Sequence, residues 1–341
     1  MFETLRTERL QLRIPRIDDL DALVARRNDA DVAALQSWQT PYPESAARAV
    51  IEGSIEMGVP ASDRWWMLTI ASPDDAEIYG DLALKLEWDG RAAEVGYTLA
   101  RAHWGRGFAV EAVNCLLRWL FEDQGVTRVH GTMHPDNLRS ARVLERCGFE
   151  FEGHTRNSFW VGDENSDDWH YGLTPEKWER WQSRPQGKPN AVELREIDSE
   201  MVRALIDLDV HQSQSHLVSP VAVSLAEAGF PPIYRRVPEV PWPRMVVADD
   251  ELAGFVMVAL ANEDSPEPYL WRLLIDRRHQ RRGIGWRVLE AVAEEARGWG
   301  AEALTVSYVE GIGSPKPVYD AFGFVPTGEY EDGETIARLV L

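Results

Sequence analysis

A glycine turn between a predicted β-strand and a predicted amphipathic helix occurs twice in this chain of 341 residues, and this repeat constrains the fold more than any other feature. The first turn reads His-Trp-Gly-Arg-Gly-Phe-Ala at 103–109, and the second reads Gln-Arg-Arg-Gly-Ile-Gly at 280–285. The same order of predicted elements surrounds each turn. The sequence therefore predicts a tandem α/β protein with a mixed sheet in each half.

Hydrophobic periodicity supplies the other elements. In the first half it predicts strands at 66–70, 78–86, 94–99, 126–133 and 169–173, with helices at 109–122 and 138–146. In the second half it predicts strands at 245–248, 252–259, 269–275 and 303–308, a helix at 285–299, a short helix ending at Phe322 and one final strand to Leu341. Residues around 30–60 and 210–240 are expected to contribute loops, and the acidic run from Asp163 to Asp168 is expected to form a hairpin turn.

The boundary between the halves is predicted from local composition. The stretch Ser-Arg-Pro-Gln-Gly-Lys-Pro-Asn at 183–190 holds two prolines, a glycine and no large apolar side chain, which is typical of an exposed connector. The predicted organisation is a first domain at 1–182, a linker at 183–190 and a second domain at 191–341.

Composition excludes several classes of protein. The chain has 36 basic and 56 acidic residues, a net charge of −20, so nonspecific nucleic-acid binding is disfavoured and cationic ligands are favoured. Its two cysteines, Cys115 and Cys147, form neither a disulfide framework nor a zinc motif. No apolar run approaches the roughly 18 residues of a membrane helix. We therefore expect a soluble, cytoplasmic protein without membrane or nucleic-acid partners.

The glycine turns favour phosphate binding, because the start of a helix presents free backbone N–H groups and the positive end of its dipole. Arg106, Arg281 and Arg282 add positive charge. A P-loop is excluded, since no lysine is followed by Ser or Thr. A dinucleotide-binding motif is disfavoured, because Val110 and Val288 stand where its third glycine is required.

Both turns resemble the acetyl-CoA-binding motif Q/R-x-x-G-x-G/A of the GNAT superfamily of N-acetyltransferases. Residues 280–285 match it throughout, and 104–109 match it with Trp in the first place. The first turn and the preceding Glu-Val-Gly-Tyr-Thr-Leu at 94–99 resemble RimJ/RimL-like acetyltransferases. In the second half, Tyr-Leu-Trp-Arg-Leu-Leu-Ile-Asp at 269–276 and the ending at 323–334 resemble bacterial diamine and polyamine acetyltransferases. The resemblance covers nearly the whole chain and implies two GNAT domains that use acetyl-CoA.

The resemblance also implies which residues hold the coenzyme. Its diphosphate would lie on the two turns, its pantetheine arm would pair with the main chain of two splayed strands, and an asparagine beside the first turn would contribute further. The residues concerned are Trp104, Gly105, Arg106, Gly107, Phe108, Ala109, Gln280, Arg281, Arg282, Gly283, Ile284, Gly285, Thr98, Leu99, Leu274, Ile275 and Asn137.

A second motif lies downstream in each half, where a short predicted helix ends at a Gly-Phe pair, 148–149 or 323–324. Aligning these pairs places Ser140 against Pro315 and Leu144 against Tyr319, and sets Asn137 against an isoleucine. The resemblance implies that Tyr319 in the second half and Ser140 in the first protonate the departing thiolate. The alternatives are that Tyr319 is a core aromatic residue and that Ser140 is a solvated helix residue.

An alkylammonium group has a pKa near 10 and must lose a proton before its nitrogen can attack a thioester. Glu94 is the candidate base of the first half, with an exposed strand-end carboxylate as the alternative. The second half offers no clear base. His130 and His134 share a predicted strand face, but no carboxylate accompanies them at metal spacing, so no metal site is predicted.

The predicted function is therefore acetyl-CoA-dependent N-acetylation of a primary amine by direct attack. The acceptor is expected to be cationic and to be a small amine, a polyamine or an N-terminal amine. Two alternatives stay open. The acceptor could be an amine antibiotic, in a resistance or detoxification role, or one half could be an idle acyl-CoA-binding module. The sequence is compatible with a monomer or a homodimer.

Overall fold

The structure is a computed structural model that describes residues 2–231, 233–234, 237–263 and 265–341. It divides into two compact units, Met1–Ser183 and Arg184–Leu341. Each unit has its own sheet and its own hydrophobic core. Among the described residues, no helix is long and apolar enough to cross a lipid bilayer.

The first unit is built on an eight-stranded sheet with the order β1-β2-β3-β4-β5-β6-β8-β7. All neighbouring strands are antiparallel except β5 and β6, which are parallel. The strands are β1 Leu5–Arg6, β2 Gln11–Arg13, β3 Trp65–Ala71, β4 Ile78–Glu87, β5 Ala92–Leu99, β6 Arg128–Met133, β7 Glu150–Val161 and β8 Glu164–Leu173.

The second unit repeats seven of these strands in a sheet with the order β16-β17-β15-β14-β13-β12-β9, in which only β14 and β15 are parallel. Read from the other edge, this order corresponds strand for strand to β2-β3-β4-β5-β6-β8-β7. Its strands are β9 Val192–Arg195, β12 Val240–Ala248, β13 Glu251–Leu260, β14 Tyr269–Ile275, β15 Ala303–Tyr308, β16 Val325–Glu331 and β17 Glu334–Val340, with a separate pair β10 Ile233–Tyr234 and β11 Val237–Pro238.

Ten α-helices are seen in the described ranges. They are α1 Leu20–Arg27, α2 Ala30–Ala33, α3 Glu44–Met57, α4 Phe108–Arg118, α5 Leu138–Cys147, α6 Pro175–Gln182, α7 Val202–Ile206, α8 Val221–Gly229, α9 Ile284–Gly298 and α10 Lys316–Phe322. The helices α4 and α9, which follow the two glycine turns, bury apolar stripes at helical spacing in their unit's core. This packing fixes the start of each helix beside the parallel strand pair.

The structure corrects three predictions about elements. Each unit closes with a hairpin, β7–β8 or β16–β17, where one strand was predicted; β7 and β16 are mostly exposed and so lack an apolar signal. The run Asp163–Asp168 belongs to a hairpin, but only Asp163 lies in its turn, because the residues from Glu164 onward lie on β8. The segment 30–60 contains α3, whose buried Ala47, Ile51 and Ser54 follow helical spacing.

Candidate active sites

The parallel strands at the centre of each sheet pair at one end and diverge at the other. In the first unit, β5 and β6 pair only up to Glu94 and His130. In the second unit, β14 and β15 pair only at Tyr269–Leu270. Because β5 and β14 continue well beyond these pairs, a gap opens in both sheets, and its edge carries main-chain groups that have no partner strand.

A glycine beside each gap lets two antiparallel strands approach closely. A Cβ atom on Gly80 would lie 2.1 Å from the carbonyl oxygen of Thr98, and one on Gly254 would lie 2.3 Å from that of Leu274. Both distances are far below van der Waals contact, so only glycine fits. The two units therefore share the close approach of β4 to β5 and of β13 to β14 at equivalent places.

The direction of the main-chain groups on β5 follows from one hydrogen bond. The amide of Ala100 donates to the carbonyl of Tyr79 on the β4 side. Because main-chain groups alternate along a strand in an antiparallel pair, those of Thr98 also face β4, whereas those of Tyr97 and Leu99 face the gap.

The same alternation applies to β14. The amide of Asp276 donates to Ala253 on the β13 side, so the main-chain groups of Leu274 face β13 and those of Leu273 and Ile275 face the gap. Of the four strand residues predicted to pair with the pantetheine arm, only Leu99 and Ile275 direct main-chain groups there. The sequence missed Tyr97 and Leu273, because it does not show which side of a strand is already paired.

The first residue of each turn motif ties the turn to the end of its strand. The indole N–H of Trp104 donates to the carbonyl oxygen of Leu99 at 2.9 Å, and the side-chain amide of Gln280 donates to that of Ile275 at 3.1 Å. Different side chains thus make the same contact, which explains why Trp and Gln occur at one motif position.

Both turns place a glycine in the left-handed region directly before a helix. Gly107 has φ 82° and Gly283 has φ 79°, and neither α4 nor α9 has a side-chain cap. Of the other described helices, α2, α5 and α6 are capped by Asp29, Asn137 and Thr174, and the remaining five have no side-chain cap. Among the described residues, no hydrogen-bond acceptor contacts the main-chain N–H groups of Gly105, Arg106, Gly107, Arg281, Arg282 and Gly283.

These free donors fit an anion such as the diphosphate of coenzyme A, because they converge where a helix dipole is positive. The gap beside each turn likewise fits an extended arm that needs main-chain partners. Both groups of donors belong to the backbone, so the fit does not depend on side-chain identity.

Arginines of the two turns have different roles. Arg106 and Arg281 are exposed, but Arg282 is only 6% exposed and donates to His279 at 2.9 Å and to the carbonyl of Gly187 at 2.8 Å. Burial lowers the pKa of His279, which therefore accepts this bond as a neutral ring. The Arg282 guanidinium is thus committed to contacts within its own unit, and its contribution of charge at the phosphate stays a prediction.

Asn137 and Ser140 meet at the start of α5. Asn137 caps the helix, since its side-chain oxygen accepts from the main-chain N–H of Ser140 at 3.2 Å. The hydroxyl of Tyr97 donates to the carbonyl oxygen of Ser140 at 2.6 Å. Burial raises the pKa of Tyr97 well above its usual range, so this phenol remains protonated at neutral pH.

Replacing Asn137 by alanine is expected to destabilise the protein by about 1 kcal/mol, because α5 loses its cap. Asn137→Asp keeps an accepting oxygen and should recover most of that loss. Urea unfolding measures both variants. An equal loss for alanine and aspartate would show that Asn137 does not act through capping.

Glu94 lies within a cluster of charges that the sequence did not reveal. Lys85 Nζ lies 2.6 Å from Glu94 and 3.0 Å from Glu87, and His130 Nε2 lies 2.9 Å from Glu87. Burial opposes the charge of Lys85, but its bonds to both carboxylates outweigh burial and raise its pKa. His130 therefore does have carboxylate neighbours, contributed by other strands.

The ligand atoms of Glu87, Glu94 and His130 lie within 4.8 Å of one another, a spacing compatible with a metal ion. The ammonium group of Lys85 contacts both carboxylates and His130 contacts Glu87, so hydrogen bonds and ion pairs already account for this arrangement.

The gap of the first unit opens into a cleft of about 1220 Å³. Glu94, Asn137 and Ser140 line it together, so the structure brings three predicted residues of the first half to one cavity. Another part of the cleft wall comes from 30–40 and from the β7–β8 hairpin, which includes the acidic residues Asp163, Glu164 and Asp168. This wall gives the cleft an acidic character.

The corresponding helix of the second unit, α10, carries Tyr319 into the core. Tyr319 is 6% exposed and packs against Tyr308 and Phe324. Burial raises the pKa of Tyr319, and within the described part of the chain its hydroxyl has no hydrogen-bond partner. The alternative that Tyr319 is a core aromatic residue thus accounts for the packing of its ring, but not for the presence of its hydroxyl group.

The two units carry a tyrosine and a leucine at equivalent strand and helix positions, but in the opposite arrangement. Tyr97 on β5 faces α5, which has Leu144 where α10 has Tyr319, and β14 has Leu273 where β5 has Tyr97. The helix positions aligned on the Gly-Phe pairs do not by themselves reveal Tyr97. Comparing strand and helix positions together would have found this arrangement.

A strand pair that splays beside an uncapped helix, repeated in two units, defines the chain as an acyl-CoA-dependent acyltransferase. Comparisons with known proteins agree. The model described as acetyltransferase (GNAT) domain matches residues 9–150, and the one described as acetyltransferase (GNAT) family matches 209–324. The chain therefore belongs to the GNAT superfamily, has two such domains and uses acetyl-CoA.

Several known proteins are similar to part of this chain. The N-acetyltransferase p20 of Bacillus licheniformis is 31% identical over 158 residues, which is 46% of this chain and 87% of that protein. The [ribosomal protein uS5]-alanine N-acetyltransferase of Escherichia coli is 28% identical over 108 residues, 31% of this chain and 56% of that protein. A solved GNAT acetyltransferase from Bacillus anthracis is 22% identical, with a TM-score of 0.46, and covers 51% of this chain and 99% of its own.

Proposed function

We propose that both units bind acetyl-CoA and that the chain acetylates primary amines by direct transfer. The observation that carries this proposal is the repeated pair of an uncapped helix start and a splayed strand gap. When bound, acetyl-CoA supplies the acetyl group as a thioester. The residues proposed to hold it are the free N–H donors of the two turns, the gap-facing main chain of β5 and β14, and Asn137.

Within this function, each unit offers a hydroxyl for protonation of the departing sulfur. Ser140 lines the first cleft, and Tyr319 stands at the equivalent helix of the second unit. Glu94 is the proposed base of the first unit because it lines the same cleft as Ser140. Its carboxylate lies 2.6 Å from Lys85 Nζ.

The proposed acceptor of the first unit is a cationic amine. Asp163, Glu164 and Asp168 line the same cleft as Glu94, where their carboxylates attract an ammonium group. Screening by salt weakens such attraction. We therefore expect the KM for a polyamine to rise with ionic strength while kcat changes little.

The function is tested by measuring thiol release from acetyl-CoA with spermidine, with a peptide that begins with alanine and with kanamycin, followed by mass spectrometry of the acceptor. We expect acetylated product from at least one of these amines. A double variant, Gly107→Val with Gly283→Val, is the negative control because both turns are altered. If the coenzyme binds but none of the three acceptors causes thiol release, the proposed activity is contradicted and a binding module is favoured.

A further inference from the structure

The second unit holds a chain of hydrogen bonds at the place where its gap opens. Tyr269 lies on β14, Ser307 on β15 and Glu334 on β17. The hydroxyl of Tyr269 lies 2.6 Å from that of Ser307, and the hydroxyl of Ser307 is hydrogen-bonded to the carboxylate of Glu334. Three strands thus contribute one continuous polar path.

Tyr269 is the structural counterpart of Glu94. Glu94 pairs with His130, and Tyr269 pairs with Thr305. His130 and Thr305 each lie 18 residues before the Gly-Phe pair of their unit. Counting residues back from each glycine turn does not give this match, because β14 has one extra residue, Trp271, in a bulge.

The chemistry of the three groups fixes the direction of the hydrogen bonds. An ionised carboxylate can only accept, so Ser307 donates its single hydroxyl hydrogen to Glu334. The oxygen of Ser307 must then accept from Tyr269. The phenol oxygen of Tyr269 keeps its own accepting capacity, and no other hydrogen bond to it occurs among the described residues.

The candidate proton donor of this unit is close to the same path. Tyr319 presents a hydroxyl without a partner in the described chain, and Tyr269 and Glu334 both add to the effect of burial on its pKa. Arg272 and Glu331 are the other charged groups that act on Tyr269. The unit therefore combines a protonated phenol with a path that ends in a half-buried carboxylate.

We propose that Tyr269, Ser307 and Glu334 form a proton relay that deprotonates the acceptor amine in the second unit, with Glu334 as the final acceptor. This inference rests on the proposed function. An ammonium N–H breaks and its proton joins Tyr269 Oη; the proton of Tyr269 moves to Ser307 Oγ, and that of Ser307 moves to Glu334 Oε2. The nitrogen keeps its electron pair for attack, and Glu334 later returns the proton to water.

In this scheme only Tyr269 contacts the amine. Ser307 and Glu334 act through it. A hydroxyl relay performs in the second unit what the carboxylate of Glu94 is proposed to do directly in the first. The counterpart of Glu94 is therefore a tyrosine, and the carboxylate of the relay lies on β17 instead.

The relay is tested in a Gly107→Val background, so that only the second turn is intact, with spermidine as acceptor. Glu334→Gln is expected to lower kcat at pH 7 by on the order of 100-fold with the KM for acetyl-CoA unchanged. The defect should shrink towards pH 10, where spermidine supplies unprotonated amine by itself. Ser307→Ala and Tyr269→Phe should show the same profile. Glu310→Gln and Tyr330→Phe, which alter an exposed carboxylate and an exposed phenol, are the controls.

A second readout does not require turnover. In protein labelled with ¹³Cζ-tyrosine and free of coenzyme, Glu334→Gln should lower the pKa of Tyr269 and Tyr319, because a negative charge is removed. An unmoved Tyr269 resonance, or full activity of Glu334→Gln beside an inactive Tyr319→Phe, would overturn the relay and leave the proposed function intact. Absence of thiol release from the parent background with every amine would instead count against the proposed function.

Discussion

Replacing Gly107 or Gly283 by valine is expected to reduce the coenzyme A bound per chain from two molecules to one. Both glycines have φ near 80° at the start of a helix. A β-branched residue is strained in this region by roughly 1–2 kcal/mol, so the turn would shift and its N–H groups would no longer converge. At Gly283 no atom lies within 4 Å of an added Cβ, so the valine side chain itself would not clash with the protein.

Isothermal calorimetry with coenzyme A measures this stoichiometry. Gly90→Val and Gly300→Val are matched controls, because these glycines have φ 81° and 83° with nothing within 4 Å of a Cβ, but lie outside the turns. They carry the same backbone strain and should retain two bound molecules. A stoichiometry of one in the unmodified chain would mean that one unit is degenerate, and two in Gly107→Val would refute the role of this turn.

Tyr319→Phe is expected to lower the kcat of the second unit by on the order of 100-fold or more, with little change in the KM for acetyl-CoA. The ring and its contacts with Tyr308 and Phe324 stay, and only the hydroxyl that would protonate the departing sulfur is removed. The measurement is steady-state thiol release in the Gly107→Val background. Its pH profile separates loss of an acid from loss of fold.

Tyr308→Phe is the matched control for this variant. Tyr308 is a buried neighbour whose hydroxyl has no hydrogen-bond partner among the described residues, so its removal should leave kcat unchanged and the stability equal or higher. Full activity of Tyr319→Phe would leave this residue with a packing role alone. Ser140→Ala in a Gly283→Val background tests the candidate proton donor of the first unit in the same way.

Much of the fold could be predicted from the sequence because its signals are local. Strands 269–275 and 303–308 occur where the apolar pattern placed them, and α4 and α9 begin within one residue of the predicted positions. The hairpin strands β7 and β16 were missed, because exposed edge strands have no apolar face to produce a pattern.

The candidate sites were harder to predict from the sequence, because the side chains that contact each other in them come from different strands. Glu94 was found, but its ion pair with Lys85 depends on the register of β4 and β5. Tyr269 was hidden by the bulge at Trp271, which shifts the count from the turn by one residue. A one-residue shift in a strand moves every side chain to the other face, so such a site requires the pairing itself.

The sequence by itself determined that two glycine turns recur in equivalent places, and with them the repeated fold, the family and the donors for a diphosphate. These features depend on backbone conformation within a few residues, and glycine spacing encodes it directly. Only the tertiary structure decided which main-chain groups face the gaps, that Arg282 is committed internally, and that a serine joins a tyrosine to a glutamate. Those contacts arise between strands far apart in the chain, where register and burial, rather than neighbouring residues, select the partner.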